Sequence, residues 1–118
     1  MVIFREFRFE AAHWLPRVEA EHKCARMHGH SYRFVLHISG AIDPERGWVM
    51  DFAEMRKIVD PVVEELDHRC LNEVPGLENP TAEAITKWIW DRLKPRLRGL
   101  IRIELYETSK CGCVYEGE

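Results

Sequence analysis

The residues best suited to chemistry lie close together between positions 24 and 30. This segment holds a thiol, Cys24, and two imidazoles, His28 and His30. Residues two positions apart on a β-strand point to the same face, so a strand here would place both imidazoles together. Neutral imidazoles and cysteine thiolates are both ligands of tetrahedral Zn²⁺. The segment therefore predicts a metal site, in which Cys24 is either a further ligand or a base beside the metal.

A third ligand must come from another part of the chain, and His13 is the best candidate. It ends a predicted first strand, and the small residues Ala11 and Ala12 before it leave room for a site. A set of His13, His28 and His30 would leave the fourth zinc position open to water or substrate, as catalytic sites do. The competing interpretation makes His13 an ordinary core histidine. The spacing of the other two histidines beside a cysteine favours the metal.

Three other acidic or basic residues are candidates with weaker signals. Asp67 and His68 are adjacent after a predicted helix, where a carboxylate can orient an imidazole, although a histidine there is often only a surface cation. Glu107 continues the apolar face of a predicted last strand. It lies either at a solvated strand end or buried with partners, where a carboxylate suits a guanidine-like edge of a ligand. His22, in a charged loop, and His37, on the opposite strand face, are not assigned to the site.

Composition limits the classes of protein to consider. The 118 residues fit one domain, 1–118, and 46% hydrophobic with 31% charged residues is typical of a globular protein. A net charge of −3 disfavours nucleic acid as a partner. No apolar run suits a membrane helix or a signal peptide, so we expect neither. The four cysteines are interpreted as free thiols in a reducing cytoplasm.

Periodicity predicts an α+β domain. Strands are predicted over residues 3–9, 28–39, 48–50 and 100–108, and helices over residues 52–66 and from the N-cap Thr81 to near Pro95. Pro61 should kink the first helix or divide it. The order of the elements predicts an antiparallel four-stranded sheet with both helices on one face. The other face then needs cover, which another subunit would provide.

Six segments resemble the 6-pyruvoyltetrahydropterin synthase superfamily, and more closely its 6-carboxytetrahydropterin synthase branch, which serves queuosine and other deazapurine synthesis. They are FEAAHWLP (9–16), HKCARMHGHSY (22–32), GWVMDFAE (47–54), LDHRCLN (66–72), PGLENPTAE (75–83) and YETSKCGCVYEGE (106–118). The three residues between Cys24 and the HGH motif, and the CGCVYEGE ending, are similar to the carboxy branch. The resemblance covers nearly the whole chain in order.

The resemblance implies a role for each candidate residue. His13, His28 and His30 match the zinc ligands, and Cys24 matches a catalytic cysteine that is not a ligand. Asp67 and His68 match the proton relay. Glu107 matches the carboxylate that anchors the pterin and is sometimes counted in the relay.

The resemblance also implies a fold and a reaction. The fold would be the tunnelling fold, whose subunits form a barrel, usually a homohexamer built as a dimer of trimers, with active sites between subunits. The reaction would be a zinc-dependent lyase reaction on 7,8-dihydroneopterin triphosphate. It would give 6-carboxy-5,6,7,8-tetrahydropterin, acetaldehyde and triphosphate. Lys23, Arg26 and Lys110 are the cations nearest in sequence to the motifs for binding the triphosphate.

Two alternatives remain at the level of the sequence. A 6-pyruvoyltetrahydropterin synthase would use the same zinc and relay, eliminate triphosphate and keep all three side-chain carbons. A zinc-stabilised binding module without turnover would instead close the metal site with Cys24 as its fourth ligand.

Overall fold

A long antiparallel strand pair is the centre of the fold in the computed structural model, which describes residues 1–118. Five strands and two helices follow one another along the chain: β1 (Val2–His13), β2 (His28–Ser39), α1 (Phe52–Leu66), β3 (Arg69–Cys70), α2 (Ala82–Leu93), β4 (Leu100–Tyr106) and β5 (Gly112–Tyr115). The sheet order is β3-β1-β2-β4-β5. The short β3 is parallel to β1, and every other neighbouring pair is antiparallel.

The β1–β2 pair is fixed by its hydrophobic alternation. Aromatic residues at alternate positions of the two strands stack in pairs, Phe9 on Tyr32 with ring centroids 4.8 Å apart and Phe7 on Phe34 at 5.4 Å. A shift of one residue would turn all of these rings to the other face, so the core specifies the register strongly. This register places His13 directly opposite His28. The packing of the core therefore determines the position of the candidate metal ligands.

Both helices form where the sequence predicts them. Asp51 caps α1 by accepting a hydrogen bond from the Ala53 N–H at 3.0 Å, and Thr81 caps α2 by accepting one from the Ala84 N–H at 3.1 Å. The expected division of α1 at Pro61 is wrong, since the helix is continuous from Phe52 to Leu66. Pro61 is exposed, so the carbonyl that loses its helical partner there faces solvent.

The α+β fold class is confirmed, but the strands differ from the prediction in detail. Residues 48–50 form no strand, and the sheet gains β3 and β5. Glycine and cysteine obscured the strand pattern of β5, and two-residue strands leave no periodic signal. At the start of β4 a register irregularity pairs Ile38 with Leu100, so Leu100 is buried while Ile101 is exposed.

One face of the sheet carries the helices and the other is open. The core combines residues from β1, β2, β4 and both helices. On the opposite face most side chains are polar or charged and partly exposed, among them Arg8, Glu10, Ser31, Arg33 and Glu104. Neither helix has the length and apolar character required to cross a membrane.

Candidate active site

Two neighbouring strands bring three histidines together at one end of the sheet. His13 is the last residue of β1 and lies opposite His28, the first residue of β2, while His30 lies two residues further along. Their ring centroids are 4.6, 4.9 and 5.2 Å apart, and the rings meet edge to face. One nitrogen from each ring lies within 4.8 Å of the others. Three imidazole nitrogens around one point make a ligand set for a metal ion.

Hydrogen bonds to backbone carbonyls orient two of these rings. His13 Nδ1 donates to Pro80 O at 2.7 Å, and His28 Nδ1 donates to Arg26 O at 2.8 Å. A carbonyl only accepts, so Nδ1 carries the proton and Nε2 keeps its lone pair. Histidine ligands of metals are commonly held in this way. Nε2 of His13 and of His30 are buried and have no hydrogen-bond partner, which is the environment that a bound cation would satisfy.

Burial also favours the neutral, metal-binding form of two of the three histidines. Loss of solvation lowers the pKa of His13 below its usual 6.5, and burial has the same effect on the pKa of His30. The neighbouring imidazoles lower both pKa values further, while Glu107 raises them. A lowered pKa favours the neutral ring, which is the form that binds a metal. The arrangement therefore fits a cation bound by neutral imidazoles near neutral pH.

Cys24 lies at the edge of this cluster. It lines a cavity of about 410 Å³ together with Lys23, His28, His30, Glu107, Thr108 and Cys111. The group of potential ligands within 4.8 Å of one another contains the three histidines and does not include Cys24. The backbone N–H of Cys24 donates to His22 Nδ1 at 3.0 Å, so His22 holds the short turn that carries the thiol. The geometry suits a thiol beside a metal site with an open position.

Glu107 lies on the other wall of the same cavity. Its Oε2 atom is 3.4 Å from His30 Nε2, and its side chain is only 24% exposed. The Glu107 N–H donates to Cys111 O at 3.0 Å, which anchors the turn after β4. Of the two interpretations from sequence, the structure supports a carboxylate that is largely buried beside partners. It lies within reach of a ligand bound at the histidines.

Asp67 and His68 lie elsewhere, on the far side of β1. Asp67 Oδ2 lies 3.0 Å from His68 Nδ1, and Asp67 Oδ1 accepts from the Glu10 N–H at 2.9 Å. These hydrogen bonds, the one from Glu10 above all, lower the pKa of Asp67. His68 has a left-handed backbone (φ 57°), its N–H donates to Glu10 O at 2.6 Å, and its side chain is 78% exposed. The carboxylate thus orients a solvent-facing imidazole.

The pair faces a different cavity from Cys24. This second cavity, of about 510 Å³, is lined by His68 with Glu10, Ala11, Ala12, Gly29, His30, Ser31, Arg69 and Cys70. His30 belongs to both cavities, but Cys24 and Glu107 line only the first. Within one chain, the structure brings together five of the seven predicted site residues. Asp67 and His68 remain apart from that group.

Several contributors to the site carry no signal in the sequence. The carbonyls of Pro80 and Arg26 orient metal ligands, but any residue provides a carbonyl. His22, which was not assigned to the site, positions Cys24 by accepting a hydrogen bond from its backbone N–H on Nδ1. Cys111, one of the four free thiols, is exposed and lines the same cavity as Cys24. Its backbone is held by a hydrogen bond to Thr108 Oγ1 at 3.2 Å.

Comparison with known proteins gives a consistent match. Residues 2–118 match the family described as 6-pyruvoyl tetrahydropterin synthase. A protein of Synechocystis sp. named 6-carboxy-5,6,7,8-tetrahydropterin synthase is 42% identical, over 97% of this chain and 92% of its own. A protein of Pyrococcus furiosus named dihydroneopterin monophosphate aldolase is 39% identical, over 98% of this chain and 96% of its own.

The fold comparison agrees with the sequence comparison. The structure of Caenorhabditis elegans 6-pyruvoyl tetrahydropterin synthase superposes with a TM-score of 0.91 at 26% identity, covering 100% of this chain and 96% of that one. The resemblance seen in the sequence motifs is therefore confirmed, and so is the tunnelling fold that it implied.

Proposed function

The chain belongs to the 6-pyruvoyl tetrahydropterin synthase family, and from this premise we propose that it is a zinc-dependent lyase of 7,8-dihydroneopterin triphosphate. With water, the substrate gives 6-carboxy-5,6,7,8-tetrahydropterin, acetaldehyde and triphosphate, a step in queuosine or deazapurine synthesis. The observation that carries this proposal is a cluster of three histidines, two of which line a cavity together with a thiol and a largely buried carboxylate. The 42% identical relative with the carboxy name supports this particular product.

The metal in this proposal is Zn²⁺, held by His13, His28 and His30. Three imidazoles are a common ligand set of catalytic zinc and leave one position open. The unpartnered, buried Nε2 atoms of His13 and His30 support this assignment. Zinc bound there would supply Lewis acidity to the hydroxyl groups of the substrate side chain.

The residues around the metal then divide the work of the reaction. Cys24, as a thiolate, takes a proton from the substrate side chain. Glu107 accepts hydrogen bonds from the 2-amino group and the ring N–H of the pterin, a geometry that suits a carboxylate. His68, oriented by Asp67, returns a proton to the pterin or to the leaving fragment. In this scheme Cys24, Glu107 and His68 each contact a different part of the substrate.

This division of roles requires more than one chain. Asp67 and His68 face a different cavity from Cys24, so a relay between them needs a second subunit to bring its own pair to the first cavity. A barrel of subunits, a homohexamer built as a dimer of trimers, would do this and would also cover the open face and free edges of the sheet. In that assembly residues 1–118 form a single catalytic domain. Its four free thiols suit the cytoplasm.

A second candidate function rests on the 39% identical aldolase relative. An aldolase acting on dihydroneopterin monophosphate would cleave the C–C bond between the first two side-chain carbons, giving 6-hydroxymethyl-7,8-dihydropterin and glycolaldehyde phosphate. The same histidines and Cys24 would serve that cleavage, since it also needs an acidified hydroxyl and a base. A 6-pyruvoyl product is the third possible outcome. The three reactions differ in how many side-chain carbons stay on the pterin.

The decisive experiment is mass analysis of the pterin product. Zinc-loaded protein is incubated anaerobically with dihydroneopterin triphosphate and, separately, with the monophosphate. We expect 6-carboxytetrahydropterin and one equivalent of acetaldehyde from the triphosphate, and no product from protein depleted of metal. A 6-hydroxymethyl product from the monophosphate would replace this proposal with the aldolase. A three-carbon product without acetaldehyde would identify the pyruvoyl reaction, and no product at all would favour a binding module.

A further inference from the structure

Two thiols from distant parts of the chain lie in the same cavity. Cys24 and Cys111 are both among the residues that line the cavity of about 410 Å³ beside the histidines, hereafter the metal cavity. Both are free, and Cys24 is partly buried while Cys111 is exposed. Cys70 and Cys113 do not line the metal cavity. The metal cavity therefore holds two thiols, of which the proposed reaction uses only one.

Each of these thiols lies on a short turn outside the sheet. Cys24 belongs to the three-residue turn Lys23–Ala25, and Cys111 belongs to the turn between β4 and β5. The Cys111 carbonyl accepts a hydrogen bond from the Glu107 N–H at 3.0 Å, and Glu107 Oε2 lies 3.4 Å from His30 Nε2, so the second turn lies against the histidines. A disulfide requires the two Cα atoms within about 7 Å of each other. Since neither cysteine is paired in a strand, the two turns can close to that distance without breaking a β-ladder.

The environments of Cys24 and Cys113 differ in a way that bears on oxidation. In the proposed function Cys24 works as a thiolate, and thiolates are the form that peroxides oxidise. Cys113 packs against the core, and its sulfur lies 3.0 Å from Thr86 Oγ1. Burial raises the pKa of the Cys113 thiol, so this cysteine stays protonated and less reactive. Although Cys113 is only two positions from Cys111, the exposed Cys111 is the thiol that can reach an oxidised Cys24.

We propose that Cys24 and Cys111 form a reversible disulfide that stops turnover under oxidation by hydrogen peroxide. This inference rests on the proposed function, because it assumes that Cys24 works as a thiolate. The Cys24 sulfur attacks the O–O bond of the peroxide, which leaves a sulfenic acid on Cys24 and releases one water. The Cys111 sulfur then attacks the Cys24 sulfur. The S–O bond breaks as the S–S bond forms, and the hydroxide that leaves takes the Cys111 proton and becomes a second water. Two thiols are oxidised by two electrons, and one peroxide is reduced to two waters.

The disulfide would have two consequences for the active site. It removes the thiolate that takes the substrate proton, so turnover stops. It also ends the oxidation of Cys24 at a reversible stage, because a sulfenic acid without a second thiol goes on to sulfinic acid, which reductants do not restore. Disulfides in a reducing compartment are usually transient and redox-sensing, which fits a bond that forms only under oxidation.

Oxidation of the zinc-loaded protein tests the bond directly. The protein is treated with excess hydrogen peroxide, the peroxide is removed with catalase, and free thiols are counted under denaturing conditions. We expect the count to fall from four to two, and mass mapping without reductant to join the peptides that contain Cys24 and Cys111. Non-reducing electrophoresis should show single chains, because the bond lies within one chain. Formation of pterin product should fall more than about tenfold and return to at least about half after treatment with a phosphine reductant.

Two matched variants define the outcomes. Cys111→Ala should form no disulfide, and its activity should be lost without recovery, because Cys24 is then oxidised to sulfinic acid. Cys113→Ala, two positions away, should form the same bond and recover like the wild type. A free-thiol count that stays at four, a bond to any other cysteine, a bond between chains, or full recovery in Cys111→Ala would overturn the proposal. Thermal unfolding of each variant before oxidation shows that its fold is intact.

The result separates this inference from the proposed function, since the thiol count and the mass map need no turnover. A bond between Cys24 and Cys111 in protein that forms no pterin product would retain the thiol pair and refute the lyase. A pterin product from protein that forms no such bond would retain the lyase and refute the pair. A bond that forms only after zinc is removed would identify Cys24 as a metal ligand, which contradicts both.

Discussion

The metal cluster and the Asp67–His68 pair lie on either side of β1, and they are held by different kinds of structure. His13 and His28 are register partners in a twelve-residue antiparallel pair, and aromatic stacks in the core fix that register. Asp67 and His68 lie in the connection between α1 and β3, where Asp67 and the His68 N–H bond to the backbone of Glu10. One group is organised by the core, and the other projects from the sheet into solvent.

The difference shows which parts of the site a single chain completes. The ligand atoms of the three histidines already lie within 4.8 Å of one another, and burial lowers the pKa of His13 and of His30, which favours the neutral form that binds a metal. The Asp67–His68 pair has its internal orientation but no substrate cavity shared with Cys24. We infer that metal binding is a property of each chain, whereas the proton relay depends on assembly. Changes on the two sides of β1 should therefore have separable effects.

The largest effect is expected from removing a metal ligand. His28→Ala should lower zinc affinity more than about 100-fold, because even loss of a ligand's hydrogen-bond partner costs about 10- to 100-fold. Metal content after dialysis against a weak chelator measures this loss. The matched control is His37→Ala, a histidine on the same strand but on the opposite face, which should retain zinc. If His28→Ala keeps a full equivalent of zinc, the three-histidine site is wrong.

The next effect separates the two sides of β1 by mixing chains. Cys24→Ala and His68→Ala should each keep zinc and lose about 100-fold or more in kcat, as expected for an acid–base group. Unfolding and refolding the two variants together at equal amounts should restore roughly a quarter of wild-type activity, if each site takes Cys24 from one chain and His68 from another. Cys111→Ala, a thiol in the same cavity as Cys24, is the control and should stay near wild-type activity. No recovery on mixing would mean that both groups act within one chain.

The sequence was sufficient for the parts of the site that depend on local pattern. Alternation in residues 28–39 predicts β2 with its observed bounds and places His28 and His30 on one face. The cap at Thr81 and the spacing of residues 52–66 predict both helices. His13 required a guess about pairing, because register between strands depends on the assembled core rather than on either segment. For Glu107 the residue pattern left a solvated strand end or burial with partners open, and only the resemblance implied that it anchors the pterin.

Two kinds of feature in the site could not be predicted from the sequence. One is a hydrogen bond to a backbone carbonyl, which every residue has, and the other is a contact between segments that are distant in the chain. The carbonyls of Pro80 and Arg26 orient the imidazoles, and no side-chain pattern marks a carbonyl. That Cys24 and Cys111 line one cavity depends on how the assembled sheet places their turns, and it is invisible in a linear sequence. The separation of Asp67 from Cys24 likewise depends on which edge of β1 receives β3.

The smallest effect expected is on the pH dependence of stability, where the two sides of β1 should titrate in different ranges. In metal-free protein, burial gives His13 and His30 pKa values below 6.5, so the unfolded chain binds more protons once the pH falls below about 6.5. Because the folded protein keeps these two histidines neutral, its free energy of unfolding decreases as the pH falls from about 6.5 toward their folded pKa values. Asp67 has a folded pKa below 3.8, so its stabilising effect is complete above that pH and is lost only below it.

Asp67→Asn isolates the lower range. Chemical unfolding from pH 8 to pH 3 should show the same decline below pH 6.5 in the variant and the wild type, because the histidines are unchanged. Only the part of the decline near pH 4 and below should become shallower, and only slightly, since the Asp67 side chain is 37% exposed. Asp60→Asn, a helix-surface aspartate paired with Arg56, is the matched control. Zinc should raise stability above pH 6.5 in both proteins, and a change in that gain caused by Asp67→Asn would show that the two sides of β1 are coupled within one chain.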